Sequence, residues 1–179
     1  MQNVRPSGGR RLPIAGFLIN DKVYQAVSDN TAKIGVFAHG FTYSGHPVSC
    51  AVALETLKIY EDRKILDHVR TLSPVFQSEL RSFADHPLVG ECRGTGLIGA
   101  VELVKDKKTR ESFDPKLAVG PNLIRIAHEH GVILRPVVDS ICFCPPLICT
   151  EAQIREMFNR FRKALAGTQE WLKSQMVAA

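Results

Sequence analysis

The sequence predicts an α/β segment followed by an α+β layer, and three observations carry that reading. The stretch LPIAGFLIND, from Leu12, is a continuous apolar run closed by Asn20 and Asp21, the pattern of a buried strand in a mixed or parallel sheet. From Ser44 onward, Val48, Ala51, Val52, Leu54, Leu57, Ile59 and Tyr60 recur at helical spacing. Beyond this long helix the order reads helix, strand, helix, strand pair, helix, which places helices on one face of a small sheet.

Each element follows from its own pattern. After the first strand, DKVYQAVSDN reads as a short helical or turn segment. The small residues Ala51 and Ala53 let the long helix pack closely. A second helix is predicted from Ile65 to Phe83, with Leu66, Val69, Leu72, Val75, Phe76 and Leu80 on one face. ADHPLVGECRGTG breaks it, LIGAVELV is a strand, and the charged KDKKTRESFDP is a solvated loop. PNLIRIAHEHG has a proline near its start and Gly131 as its stop, so it reads as a helix. VILRPV and SICFCPPL are two short strands around the turn residues Asp139 and Ser140. The last helix starts at TEAQ, where Thr150 and Gln153 form a capping box, and its apolar face carries Ile154, Met157, Phe158, Phe161, Leu165 and Leu172. These patterns divide the chain into a disordered or non-family start over 1–11, a first segment over 12–62 and a nearly complete α+β domain over 63–179.

Composition excludes several classes. The 179 residues are 45% apolar and 23% charged, and no apolar stretch reaches the roughly 20 residues that a membrane span requires. The net charge of +5 is spread among acids, with no basic stripe interleaved with aromatics, so no nucleic-acid partner is expected. MQNVRPSGGRR has no apolar core of the kind a secretory signal needs. Cys50, Cys92, Cys142, Cys144 and Cys149 are an odd set and read as reduced thiols of a cytoplasmic protein.

Several stretches invite chemistry. GTGLIG matches the glycines of a dinucleotide fingerprint, but it runs into a strand rather than a helix, so close backbone approach or a bulge explains Gly94, Gly96 and Gly99 better. Alternation would put Cys142 and Cys144 on one strand face, yet the spacing in CFCPPLIC is not that of a zinc site, and small buried hydrophobes are the reading; no metal site is expected. The turn HGFTYSGHP precedes a helix, whose N-terminal N–H groups stabilise an anion, and Thr42 and Ser44 add hydroxyls. The same residues also suit plain capping by Ser44 with Pro47 in the first turn. Arg135 lies at the end of an apolar strand beside Pro136, where it suits either bidentate carboxylate recognition or a salt-bridged strand end.

The order of four motifs resolves these alternatives. LPIAGFLINDKVY, HGFTYSGHPVSCAVALETL, RGTGLIGAVELV and HGVILRPVVDSICFCPPLICTEAQI together resemble the class III pyridoxal-phosphate-dependent aminotransferases of ω-transaminase type, from about Leu12 to about Leu172. The resemblance implies the fold-type-I architecture of the aspartate aminotransferase superfamily, with this chain as the end of the large cofactor domain, its connecting helix and the small C-terminal domain. It implies pyridoxal 5'-phosphate as cofactor, and a dimer, formed with a second copy or with a full-length subunit, in which sites are shared. By the same likeness Thr42, with Phe41 beside it, meets the phosphate of the neighbour's cofactor, and Arg135 receives a substrate carboxylate. The substrates would be an amine or amino acid and a 2-oxo acid or aldehyde.

One departure concerns the lysine that would hold the cofactor aldehyde as a Schiff base. The family position falls near Arg5, and no lysine precedes Lys22. A guanidinium stays protonated and forms no imine. Lys22 and Lys33 lie outside the motif, so no catalytic residue is assigned and the isolated chain is expected to be inactive. The alternative is a non-catalytic remnant or dimer-partner fragment.

Overall fold

The computed structural model describes residues 2–4, 14–37 and 40–177, and the chain divides into two units, Met1–Lys64 and Ile65–Ala179. In the first unit β1 (Gln2–Val4) pairs antiparallel with β2 (Gly16–Leu18). Helix α1 (Asp21–Ile34) follows, and the Asn20 side chain caps it by accepting from the Val23 N–H at 3.0 Å. It is longer than the short segment the sequence suggests, because helical periodicity continues through Val27, Thr31 and Ile34. Helix α2 (Pro47–Asp62) begins at a proline whose missing N–H costs nothing in a first turn.

No described residue of this unit is buried. The expectation of a buried strand in a mixed or parallel sheet is therefore corrected: Gly16–Leu18 is exposed throughout and lies in an antiparallel pair. Its apolar residues have no second layer among the described residues of the unit, and a strand buries a face only against one. Leu12 and Pro13, where the apolar run begins, fall outside the described residues, as does most of the 1–11 start; the expectation of disorder there is corrected at Gln2–Val4, which pair as β1.

The second unit has a closed core. Helix α3 (Ile65–Arg81) leads into the hairpin β3 (Val89–Thr95) and β4 (Ile98–Leu103); helix α4 (Val119–Glu129), strands β5 (Arg135–Val137) and β6 (Ser140–Phe143), and helix α5 (Glu151–Val177) complete it. The sheet is antiparallel throughout, in the order β3-β4-β6-β5. Alternation sends Val101 and Leu103 of β4, with Ile141 and Phe143 of β6, into the core. There they meet Phe76 and Leu80 of α3, Leu123 of α4 and Phe158 and Phe161 of α5. Phe143 stands between Phe158 and Phe161, with ring centroids 5.1 and 4.9 Å away.

The glycines of GTGLIG are hairpin chemistry. Gly96 opens the β3–β4 turn with φ of 57°, and a Cβ on Gly99 would stand 2.5 Å from Leu80 Cδ2, so α3 lies directly on β4. The Gln77 amide donates to the carbonyls of Gly96 and Ile98 at 3.0 and 3.3 Å and ties the hairpin to the helix. The capping box at α5 forms in both directions: Gln153 Oε1 accepts from Thr150 N at 2.9 Å, and Thr150 Oγ1 accepts from Gln153 N at 3.3 Å.

The link from α3 to β3 carries a pH dependence. His86 Nδ1 accepts from Leu88 N at 3.2 Å, and Lys107 Nζ donates to the backbone oxygens of Ala84 and His86. Burial, and then the Lys107 charge, hold the His86 pKa below 6.5. Because the folded pKa is the lower one, this link gives full stability above about pH 6.5 and loses it as pH falls through the folded value. Urea midpoints between pH 7.5 and 5 should fall in the wild type and fall less in His86→Gln; equal slopes would remove His86 as the cause.

Candidate functional site

Two places in the structure offer chemistry, one in each unit. In the first, the chain turns sharply from Phe41 to Gly45: Ser44 N donates to the Phe41 carbonyl at 2.9 Å, His46 N to the Tyr43 carbonyl at 3.2 Å, and Gly45 takes φ of 70°. The expectation that Ser44 caps the helix is not met. Its hydroxyl accepts from Phe41 N at 3.2 Å, inside the turn, while the N-cap of α2 is His46, which makes no side-chain capping bond. The turn thus spends its serine on its own closure and leaves the helix start without a side-chain acceptor.

Thr42 is exposed on this turn, and its hydroxyl has no hydrogen-bond partner among the described residues. Phe41 and Tyr43, on either side, are 74% and 80% exposed. A free hydroxyl beside an uncapped helix N-terminus suits an anionic oxygen: the helix supplies N–H groups and partial positive charge, and the hydroxyl one more donor.

In the second unit the sheet has an open face opposite its helices. Cross-strand pairing sets Arg93, Ala100, Cys142 and Arg135 in one row across β3, β4, β6 and β5. The two arginines differ in their partners. Arg93 is ion-paired with Glu102 and, at 3.6 Å, with Glu91, and it donates to Ser140 Oγ at 3.3 Å. The Glu102 hydrogen bond is the main reason its pKa lies above the usual arginine value. Arg135 has neither an ion pair nor a side-chain hydrogen bond among the described residues. The structure places it exposed, because β5 is the edge strand and Arg135 points away from the helices.

The cysteines do not assemble. All five are free thiols, and no cluster able to hold a metal occurs among the described residues. Cys92 and Cys149 pack against the core, where burial raises both thiol pKa values, so they remain neutral small hydrophobes, as the sequence suggests for Cys149. For the other two cysteines of CFCPPLIC the expectation of burial is corrected: Cys142 is only half-buried, on the open face, and Cys144 is exposed beyond the end of β6.

The family profile described as Aminotransferase class-III matches residues 6–165, most of the chain. The chain belongs to the class III aminotransferases. Among curated class III relatives, gamma aminobutyrate transaminase 3 (chloroplastic) of Solanum lycopersicum is 43% identical over 167 residues, which are 92% of this chain and 32% of that protein. Vanillin aminotransferase of Capsicum chinense is 41% identical over 92% of this chain and 36% of its own length. Among solved structures, a transaminase with L-Ala superposes with a TM-score of 0.82 at 44% identity, covering 91% of this chain and 38% of that one. The ω-transaminase of Pseudomonas jessenii in complex with PMP gives 0.76 at 43% identity, over 86% and 34%. The chain therefore spans about a third of the length of its relatives.

Class III aminotransferases use pyridoxal phosphate. The Phe41–Gly45 turn fits the phosphate end of that group, by the free Thr42 hydroxyl and the uncapped start of α2. No lysine stands in that turn. Lys22 and Lys33 are exposed on α1, and the Arg5 position lies outside the described residues. No helix is long and apolar enough to cross a membrane among the described residues.

The motifs single out Thr42 and Arg135 but do not show how each is held. The Ser44 bond to Phe41 and the fastening of the hairpin that carries Arg135 both depend on backbone approach, and the only available signals were a serine two residues after Thr42 and an aspartate in the β5–β6 turn.

Proposed function

We propose that the chain is the C-terminal part of a pyridoxal-phosphate-dependent aminotransferase that moves an amino group between an amine or amino acid and a 2-oxo acid or aldehyde. Residues 12–62 are the end of the large domain with its connecting helix, and 63–179 are the small domain. Thr42, with Phe41 beside it, serves the cofactor phosphate of a neighbouring subunit, either a second copy or a full-length one. Arg135 receives the substrate carboxylate. The Thr42 hydroxyl at the uncapped start of α2, free among the described residues, carries the reading, and Arg135, unpaired among the same residues, supports it.

When bound, the cofactor supplies an electron sink for bonds at the amine carbon. This chain's residues contribute orientation: the turn fixes the phosphate end, and Arg135 offers two parallel donors to a carboxylate. The lysine amine that would hold the cofactor aldehyde has no counterpart in the motif, so the isolated chain completes no turnover. Five free thiols suit a reducing compartment such as the cytoplasm.

Calorimetric titration with pyridoxal phosphate and with pyridoxal, which differ only in the phosphate, tests this directly. The phosphate form should bind more tightly, and Thr42→Val should weaken it about tenfold, the effect of one hydrogen bond to a charged group, while leaving pyridoxal unaffected. Equal binding of the two vitamers would remove Thr42 from the phosphate site. Transaminase turnover by the purified chain alone would refute the assignment of inactivity.

A further inference from the structure

The hairpin that carries Arg135 is built on a strained residue. Strands β5 and β6 are joined by the two-residue turn Val138–Asp139, and Val138 takes φ of 56°. A β-branched side chain in the left-handed region is a true outlier, and burial often compensates such strain. Here it does not, since Val138 is 75% exposed. The turn must be held from elsewhere.

Two contacts hold it, both through Asp139. Its backbone carbonyl accepts from Leu103 N, at the end of β4, at 2.9 Å. Its side-chain Oδ1 accepts from Gly120 N, in the first turn of α4, also at 2.9 Å. Residues there need outside acceptors, and the N-cap of α4, Ala118, offers none from its side chain. The fit is close: a Cβ on Gly120 would lie 2.1 Å from the Val138 carbonyl oxygen. Asp139 thus fastens the hairpin tip to a strand and to a helix at once.

Arg135 begins β5, a three-residue edge strand whose only strand partner among the described residues is β6. So short a strand has little rigidity of its own, and its direction is set by what fastens its ends. We propose that Asp139 is a positioning residue: by clamping the strained Val138 turn to α4 and β4, it fixes the edge strand so that Arg135 presents its guanidinium to a carboxylate from the open face of the sheet. This deepens the reading of Arg135 given above and rests on it.

The test uses the whole chain, isotopically labelled, with glutarate as the carboxylate probe. Backbone amide exchange reports the β5–β6 hairpin, and the Arg135 Nε–Hε resonance reports glutarate binding. Asp139→Ala should speed exchange in the hairpin at least tenfold and weaken glutarate at least threefold, with exchange at Val101 in the core unchanged. Asp139→Asn keeps an oxygen acceptor for Gly120 N and should restore both readouts to within about twofold. Adding Val138→Gly to Asp139→Ala should recover much of the exchange protection, since glycine adopts that φ without strain and the tip then needs less fastening. Unchanged hairpin exchange in Asp139→Ala, or an Asn variant as loose as the Ala variant, would overturn the clamp. Glutarate that fails to move the Arg135 resonance in the wild type, while Asp139→Ala still loosens the hairpin, would instead sink the carboxylate reading of Arg135 and the positioning role with it.

Discussion

Phe158→Ala is expected to lower the stability of the second unit by about 3–5 kcal/mol, a large part of what a domain of this size commonly possesses. Phe158 is fully buried on α5, with ring centroids 5.1 Å from Phe76, 6.0 Å from Phe83 and 5.1 Å from Phe143. These neighbours belong to α3, the segment after it, and β6, so one ring joins both helices to the sheet. Truncation removes apolar area and leaves a cavity walled by rigid aromatic rings, which cannot collapse as a Leu-lined site might partly do. Urea unfolding followed by Trp171, which packs at the edge of the core, measures the loss. A loss under about 1 kcal/mol would show that this cluster is not the centre of the core.

Gly120→Ala should also destabilise the unit, by less than Phe158→Ala, although alanine is the better helix former by about 1 kcal/mol. The added Cβ would stand 2.1 Å from the Val138 carbonyl oxygen, a backbone atom that cannot swing aside as a side chain could, and 3.3 Å from Asp139 Oδ1. Either α4 or the Arg135 hairpin must shift, breaking the Gly120 N to Asp139 contact. Overpacking of this kind costs about 1–3 kcal/mol net, and a fall in Tm of roughly 5–15 °C is the expected reading. Gly40→Ala is the control, because a Cβ there meets nothing within 4 Å, and its Tm should stay close to the wild type. A Gly120→Ala variant as stable as that control would mean the helix and hairpin are not in tight contact.

Much of the second unit was legible because its signals are local. Helical period marked α3, α4 and α5, Thr150 and Gln153 marked the start of α5, and alternation marked β4 and β6. The β5–β6 turn was placed one residue late, at Asp139 and Ser140 instead of Val138 and Asp139. Nothing in the sequence identifies a valine as a left-handed turn residue. The first unit was misread in burial for a related reason. The run from Leu12 has the hydrophobicity of a covered strand, but hydrophobicity records what a segment can bury against, and this unit presents no covering layer among its described residues.

The candidate site divides along the same line. Motif order alone pointed to the aminotransferase family, and to Thr42 and Arg135 within it, because a motif is a string of residue types at set spacings and needs no coordinates. Tertiary structure decided which groups are free to act. Ser44 turned inward to close its own turn and left the start of α2 uncapped; Arg93 was neutralised by Glu102 and Glu91, whereas Arg135, in the same cross-strand row, was left without a partner among the described residues. Whether a hydroxyl or a guanidinium is spent or available depends on neighbours brought together from distant parts of the chain, and that pairing exists only once the backbone has folded.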